Sequence, residues 1–251
     1  MMSGLTLWIL GYPTRAVESG HAALALAREL SHPHSVVLAM HWVGMVHQLR
    51  RDVETTRELA ESVVALAAEH GFQQWLLAGR ILNGWVQAIE GRGAAGIAQL
   101  RQGIREYRAM GSELFVPYFL SLLAGAHLKH GEADEGLAAA VEALSVSAVT
   151  GERSWDAELC RLKGELLLAR DPANASEAEI AFRQAVEIAG RQSANSWELR
   201  AVTGLSGLLA RQGKRYEARR LLSDTYGRFT EGFDTADLRQ AKTLLDELAA
   251  P

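Results

Sequence analysis

The chain has 251 residues, 48% of them hydrophobic and 22% charged, with a formal net charge of −4. That balance excludes a basic nucleic-acid face and an acidic disordered tail, and a proline count of 5 in an Ala- and Leu-rich chain favours helix throughout. The lone cysteine, Cys160, excludes an intramolecular disulfide and any multi-cysteine zinc site, so it reads as a small packed residue in a reducing compartment.

In chain order, "MMSGLTLWILG" carries neither a basic n-region nor a small-residue cleavage site, and reads as a short, truncated first helix ending in a turn at Gly11. A second helix runs to Ser31. The third, "HPHSVVLAMHWVGMVHQL", ends at the polar break "RDVET". Equivalent breaks follow at "GRGAAG", "GEADEG", "RDPANASEAE" and "QGKRYEA", while a second series falls at Ser31, Gly71, Gly111, Gly151 and Ser193. The period is about 40 residues, stretched once around Asp171 to Asn174. The spacing predicts one domain, 1–251, made of a partial pair (about 1–31) and helix pairs at about 32–71, 72–111, 112–151, 152–193 and 194–233, then a closing helix at about 235–249. No apolar run approaches the roughly 18 residues of a membrane span, so a cytoplasmic protein with no membrane association is expected.

Aligned at that period, columns of like residues emerge. Gly44, Gly84, Ala124, Gly164 and Ser206 form a small column in the first helices, and Ala16, Thr56, Gly96, Gly136, Ala178 and Ala218 form another at the start of the second helices. Glycine within a helix costs up to about 1 kcal/mol against alanine, so such columns imply backbones too close for a side chain, with Gly44 among those that set the helix contact. An aromatic column holds Trp75, Phe115, Trp155 and Trp197. Ile97, Leu100, Ile104 and Tyr107 step by three and four, a single apolar stripe that must stack on neighbouring helices. The expected fold is all-α, a right-handed α-solenoid of antiparallel helix pairs.

In "ASEAEIAFRQAVEIAGRQ", Ala178, Phe182 and Ala185 match the A-x-x-x-F-x-x-A pattern, and Gly164 supplies the small residue of the preceding helix. The chain therefore resembles a tetratricopeptide (TPR) array, with a longer period than the usual one of about 34 residues and without the closing proline. The phrases "ELSHPHSVVLAMHWVGMVHQLRRD", "ILNGWVQAIEGRGAAGIAQLRQGI" and "YGRFTEGFDTADLRQAKTLLDEL" resemble the C-terminal repeat region of large bacterial signalling proteins. There an adenylate/guanylate cyclase or other output domain precedes an AAA/STAND-type ATPase and then the repeats. The resemblance implies a sensory or scaffold region, and no cyclase or ATPase motif lies in these residues.

Candidate chemistry is sparse. His34 and His41 share a helix face, but His47 lies about 240° around from His41 and no H-E-x-x-H is present, so neither a metal site nor a catalytic centre is expected. "GLLARQGKR" has the wrong glycine spacing for a phosphate loop, and Arg215 stands where Ser or Thr is required. The expectation is a non-enzymatic module with no cofactor, binding a protein, a peptide or another domain of its parent chain, and not nucleic acid. If the first helices line an open concave groove, the residues facing it are His41, Met45, Gln48, Trp85, Arg161 and Glu165, with Trp85 the exposed ring and Trp42 a core residue. The alternative is a metabolite-sensing solenoid that regulates an attached ATPase or cyclase. An enclosed pocket of a few hundred Å³ would mark it. An uncovered N-terminal face would allow self-association.

Overall fold

Left-handed turns set the helix boundaries. Gly71, Gly111 and Gly151, together with Ser31 and Ser193, hold φ between 51° and 80° at the break between helix pairs. Inside the pairs, Gly11, Gly91, Gly131 and Gly213 hold φ between 74° and 98°, and Arg51 (φ 62°) stands in that series where glycine is the rule. Pro13 and Pro33 occupy first helical positions, where their missing N–H groups leave no bond unmade. The Asp52 carboxylate accepts from the Thr55 N–H at 3.2 Å to cap the next helix.

The computed structural model describes residues 2–249. The helices are α1 (Met2–Ile9), α2 (Pro13–Glu29), α3 (Pro33–Leu49), α4 (Val53–His70), α5 (Gln73–Ile89), α6 (Gly93–Ala109), α7 (Val116–Lys129), α8 (Ala133–Thr150), α9 (Asp156–Arg170), α10 (Ala175–Arg191), α11 (Asn195–Arg211), α12 (Arg215–Tyr226) and α13 (Ala236–Ala249). Single 3-10 turns precede α9 and α10. No strand occurs among the described residues.

The small columns lie where helix backbones touch. A Cβ on Gly96 would sit 2.3 Å from the Ala88 nitrogen and 2.6 Å from the Gly84 oxygen, so α5 and α6 pack backbone to backbone. One on Gly136 would meet Leu166 at 2.4 Å, and one on Gly164 the Phe182 ring at 3.0 Å. Gly44 departs from the expectation: its nearest neighbour would be Leu59 Cβ at 3.5 Å, ordinary contact, because Leu59 and Leu82 already fill the gap between α3 and its neighbours.

The expected open superhelix is closed. Each odd-numbered helix from α1 to α9 packs on the next odd-numbered one, and α11 returns to contact α1. Trp8 of α1 meets Trp197 of α11 edge-on at 4.6 Å, and the aromatic series continues through Trp155 to Tyr118. The Ser196 hydroxyl donates to the Trp8 carbonyl, and Asn195 Nδ2 donates to the Leu10 carbonyl at 2.8 Å. Glu231, in the loop between α12 and α13, accepts from the Thr14 and Arg15 N–H groups at 2.9 and 3.0 Å, capping α2 from the far end of the chain. Gly232 (φ 73°) allows the approach, since a Cβ there would lie 2.1 Å from Pro13. The N-terminal face expected to be free is thus covered by α11 of the same chain.

Candidate functional site

Ring closure leaves a cleft of about 450 Å³ at the centre. It is built from the C-terminal ends of α3 and α5, the turn into α4, the length of α7, α9, the start of α11, and Gln240 of α13. Part of the lining is apolar: Trp85 and Ile89 from α5, Leu122 and Leu128 from α7, and Leu162 from α9. The lining is also charged. Glu158 takes a two-pronged bond from Arg161 (2.7 and 2.8 Å) and a further bond from Arg200 at 3.2 Å. Arg161 also reaches Glu165 at 2.6 Å, and Arg200 reaches Asp237 of α13 at 2.8 Å.

Glu158, Arg161 and Arg200 are all less than 10% exposed, so each charge survives burial only through its partners. Burial alone would push Glu158 up, but the Arg161 and Arg200 charges outweigh it and hold the carboxyl below its usual range. Burial opposes the Arg161 charge too, and Glu158 and Glu165 reverse that, raising it above its ordinary value. Arg200 and Lys129 also donate to main-chain carbonyls at the ends of α3 (Leu49) and α5 (Ile89), where helix dipoles favour cations.

Of the residues expected to face a groove, Gln48, Trp85, Arg161 and Glu165 line this cleft. Gln48 accepts from the Tyr118 hydroxyl at 3.0 Å across it. Trp85 is only 7% exposed, a wall of the cleft and not the solvent-facing ring expected. His41 and Met45 do not reach it. They are 1% and 0% exposed, because the middle of α3 is packed between its neighbouring helices. His41 packs against Trp42 and Trp75, and neither ring nitrogen has a hydrogen-bond partner. Burial lowers its pKa to about 4. Trp42, as expected of a core residue, packs edge-on to Phe115 at 5.4 Å.

The other histidines serve local structure. His47 Nδ1 meets Asp52 at 2.9 Å and His127 Nδ1 meets Glu132 at 2.6 Å, two repeats apart in equivalent turns. Among the described residues, no group of three or more His, Cys, Asp or Glu side chains could hold a metal ion, and no helix is long and apolar enough to cross a membrane. Cys160 is 2% exposed and burial pushes its thiol up to about 11, which makes it unreactive at neutral pH.

Sequence reasoning missed Arg51, Tyr118, Trp197, Arg200 and Asp237. Two of them carried a signal: Arg51, an arginine in a column of glycines, and Trp197, a member of the aromatic column.

No family model matches the sequence, and no curated protein matches it. Among solved structures, the chain is similar to a Rap protein complexed with competence and sporulation factor, with a TM-score of 0.63 and 11% identity, covering 98% of this chain and 71% of that one. A structure from Podosopora anserina, described as a kinesin light chain with nearly identical TPR-like repeats, aligns with a TM-score of 0.51 and 19% identity over 76% of this chain and 93% of that chain. At these identities the likeness speaks to fold, and the fold is that of a TPR-like helical-repeat array.

Proposed function

We propose that this chain is a non-catalytic binding module whose central cleft receives a small ligand, as the sensory region of a larger signalling protein. The observation that carries the reading is closure. An open groove would suit an extended chain, whereas the α1–α11 contact and the Glu231 cap leave a half-open cleft of about 450 Å³ lined by both apolar and charged side chains. That is the size and lining of a small-molecule site. The resemblance to the repeat regions of bacterial cyclase–ATPase proteins supports an attached ATPase or cyclase as the element regulated. Ligand entry at the seam would change the contact between the first and last helices, which is how occupancy could be passed on.

The test is retention of small molecules. The protein is incubated with a bacterial metabolite extract, desalted, and its bound compounds are read by mass spectrometry. A compound retained by the wild type and lost in Trp85→Leu supports the reading, while a wild type that retains nothing and gains no thermal stability from the extract sinks it. A protein-scaffold reading has its own support in the large apolar side chains exposed on the outer helices, Leu26 on α2, Ile180 on α10 and Tyr216 on α12. Pull-downs in which substitution of these three, and not of cleft residues, removes a partner would favour it.

A further inference from the structure

The charged lining is unevenly satisfied, and the unevenness specifies a ligand. Arg161 has its bonds filled by Glu158 and Glu165. Arg51 does not. Its Nη2 lies 3.0 Å from Asp237 Oδ1, yet that oxygen has no aligned hydrogen-bond donor, and the other bond of Arg51 is a long one (3.3 Å) to the neutral Gln240. Asp237 gives its aligned bond to Arg200 instead. Asp237 favours the Arg51 charge, but burial and the nearby Arg200 and Arg161 cations leave it below its ordinary value. Lys129, also on the cleft, bonds to the neutral Ile89 carbonyl. The residues lining the cleft include Arg51, Lys129, Arg161 and Arg200 against Glu158 and Glu165, a cationic surplus that Asp237 only partly offsets. In the same lining, the Trp197 N–H is buried without an acceptor.

Backbone geometry singles out the same residue. Arg51 holds φ 62° at the turn position where Gly11, Gly91, Gly131 and Gly213 stand. A left-handed non-glycine residue costs on the order of 1 kcal/mol, so the arginine is kept in spite of its backbone. Its present partners are Asp237, which it shares with Arg200, and the neutral Gln240; an anion in the cleft would add an unshared one.

Building on the cleft reading above, we propose that the ligand is a small free carboxylate with an apolar or aromatic body, its carboxylate drawing Arg51 away from Asp237 and its body lying on Trp85 and Leu122. The guanidinium offers a planar two-pronged donor suited to carboxylate. Lys129 adds charge at the same opening, and 450 Å³ accommodates a compound of this kind.

The experiment compares 3-phenylpropionate with its neutral isostere 3-phenylpropionamide, and with N-acetyl-leucyl-phenylalanine as a peptide carrying the same terminal group. Binding to the full chain is read at low salt from tryptophan fluorescence and thermal shift. Arg51→Gly is the informative variant because glycine relieves the backbone there, so the protein is expected to fold at least as well as wild type. The expected result is that the acid binds at least about tenfold tighter than the amide, that Arg51→Gly removes the preference, and that Trp85→Leu weakens both compounds. Acid and amide binding alike, both weakened by Trp85→Leu, overturns the carboxylate inference and leaves the cleft reading standing. Binding insensitive to both variants lies outside the cleft and overturns both. A peptide acid that binds tighter than 3-phenylpropionate shows a chain terminus to be the ligand and overturns the small-molecule assignment, as does failure of 3-phenylpropionate to bind at all.

Discussion

Two kinds of interface hold this ring together. Within the spine, α5 and α6 meet backbone to backbone at Gly84 and Gly96, and apolar side chains fill what remains. At the seam, the first and last parts of the chain meet through Trp8 on Trp197, hydrogen bonds from Ser196 and Asn195 to the end of α1, and a set of ion pairs: Arg15 with Glu231, Arg50 with Asp234, Arg51 and Arg200 with Asp237. The spine is set by volume, where any added atom has nowhere to go. The seam leans on charge: its outer pairs, Arg15 with Glu231 and Arg50 with Asp234, are partly exposed, contribute little and are weakened by salt, while Arg200 with Asp237 is buried. A ring with one such weak join opens there first.

Removing the aromatic contact should have the largest effect. Trp8→Ala is expected to lower stability by about 3–5 kcal/mol, with amide exchange rising in α1 and α11–α13 and least in α5–α6. Uniform exchange would erase the distinction between spine and seam. Next comes Gly96→Ala, expected to destabilise by roughly 3 kcal/mol in denaturant melts because its Cβ would enter the α5 backbone. The same change at Gly44 should be neutral or stabilising by less than about 1 kcal/mol, since only ordinary contacts await it. Equal losses at the two sites would show that the column, and not local spacing, decides.

His41 sharpens the contrast through pH. Its folded pKa of about 4 lies below the unfolded 6.5, so between these values the unfolded chain binds a proton that the folded one refuses. Stability is therefore full above pH 6.5 and falls as pH drops towards 4, by up to about 3 kcal/mol from this group. His41→Phe should flatten that slope in melts across this range. A slope unchanged by the substitution would assign it to other groups. The smallest effect is expected of Asp234→Ala, less than about 1 kcal/mol and vanishing at high salt, because Asp234 is exposed and pairs with Arg50 at 3.2 Å.

Periodicity was readable in the residues because each repeat solves the same local problem. The left-handed positions at Gly71, Gly111 and Gly151 and the small residues at Ala178 and Ala218 recur at a fixed spacing. Closure was not readable. Its contacts join residues about 150 to 220 positions apart, such as Arg200 with the Leu49 carbonyl or Glu231 with Thr14, and no period links them. The cleft was half visible for the same reason. Gln48, Trp85, Arg161 and Glu165 follow from helix register, whereas Arg51, Arg200 and Asp237 converge only once the ring has closed. His41 and Met45 lie away from the cleft because the middle of α3 packs against adjacent helices, with His41 on Trp75 of α5.

The Glu231 cap on α2 carries a consequence for biosynthesis. The N–H groups of Thr14 and Arg15 wait for a carboxylate more than two hundred residues later in the chain. A ribosome making this protein therefore releases an N-terminal helix pair without its cap while the middle repeats, whose contacts are local, can already assemble. The seam is completed last, and a chain stalled short of the α12–α13 loop presents the bare α2 terminus and the exposed Trp8 together, a form that chaperones and proteases can tell from the finished ring.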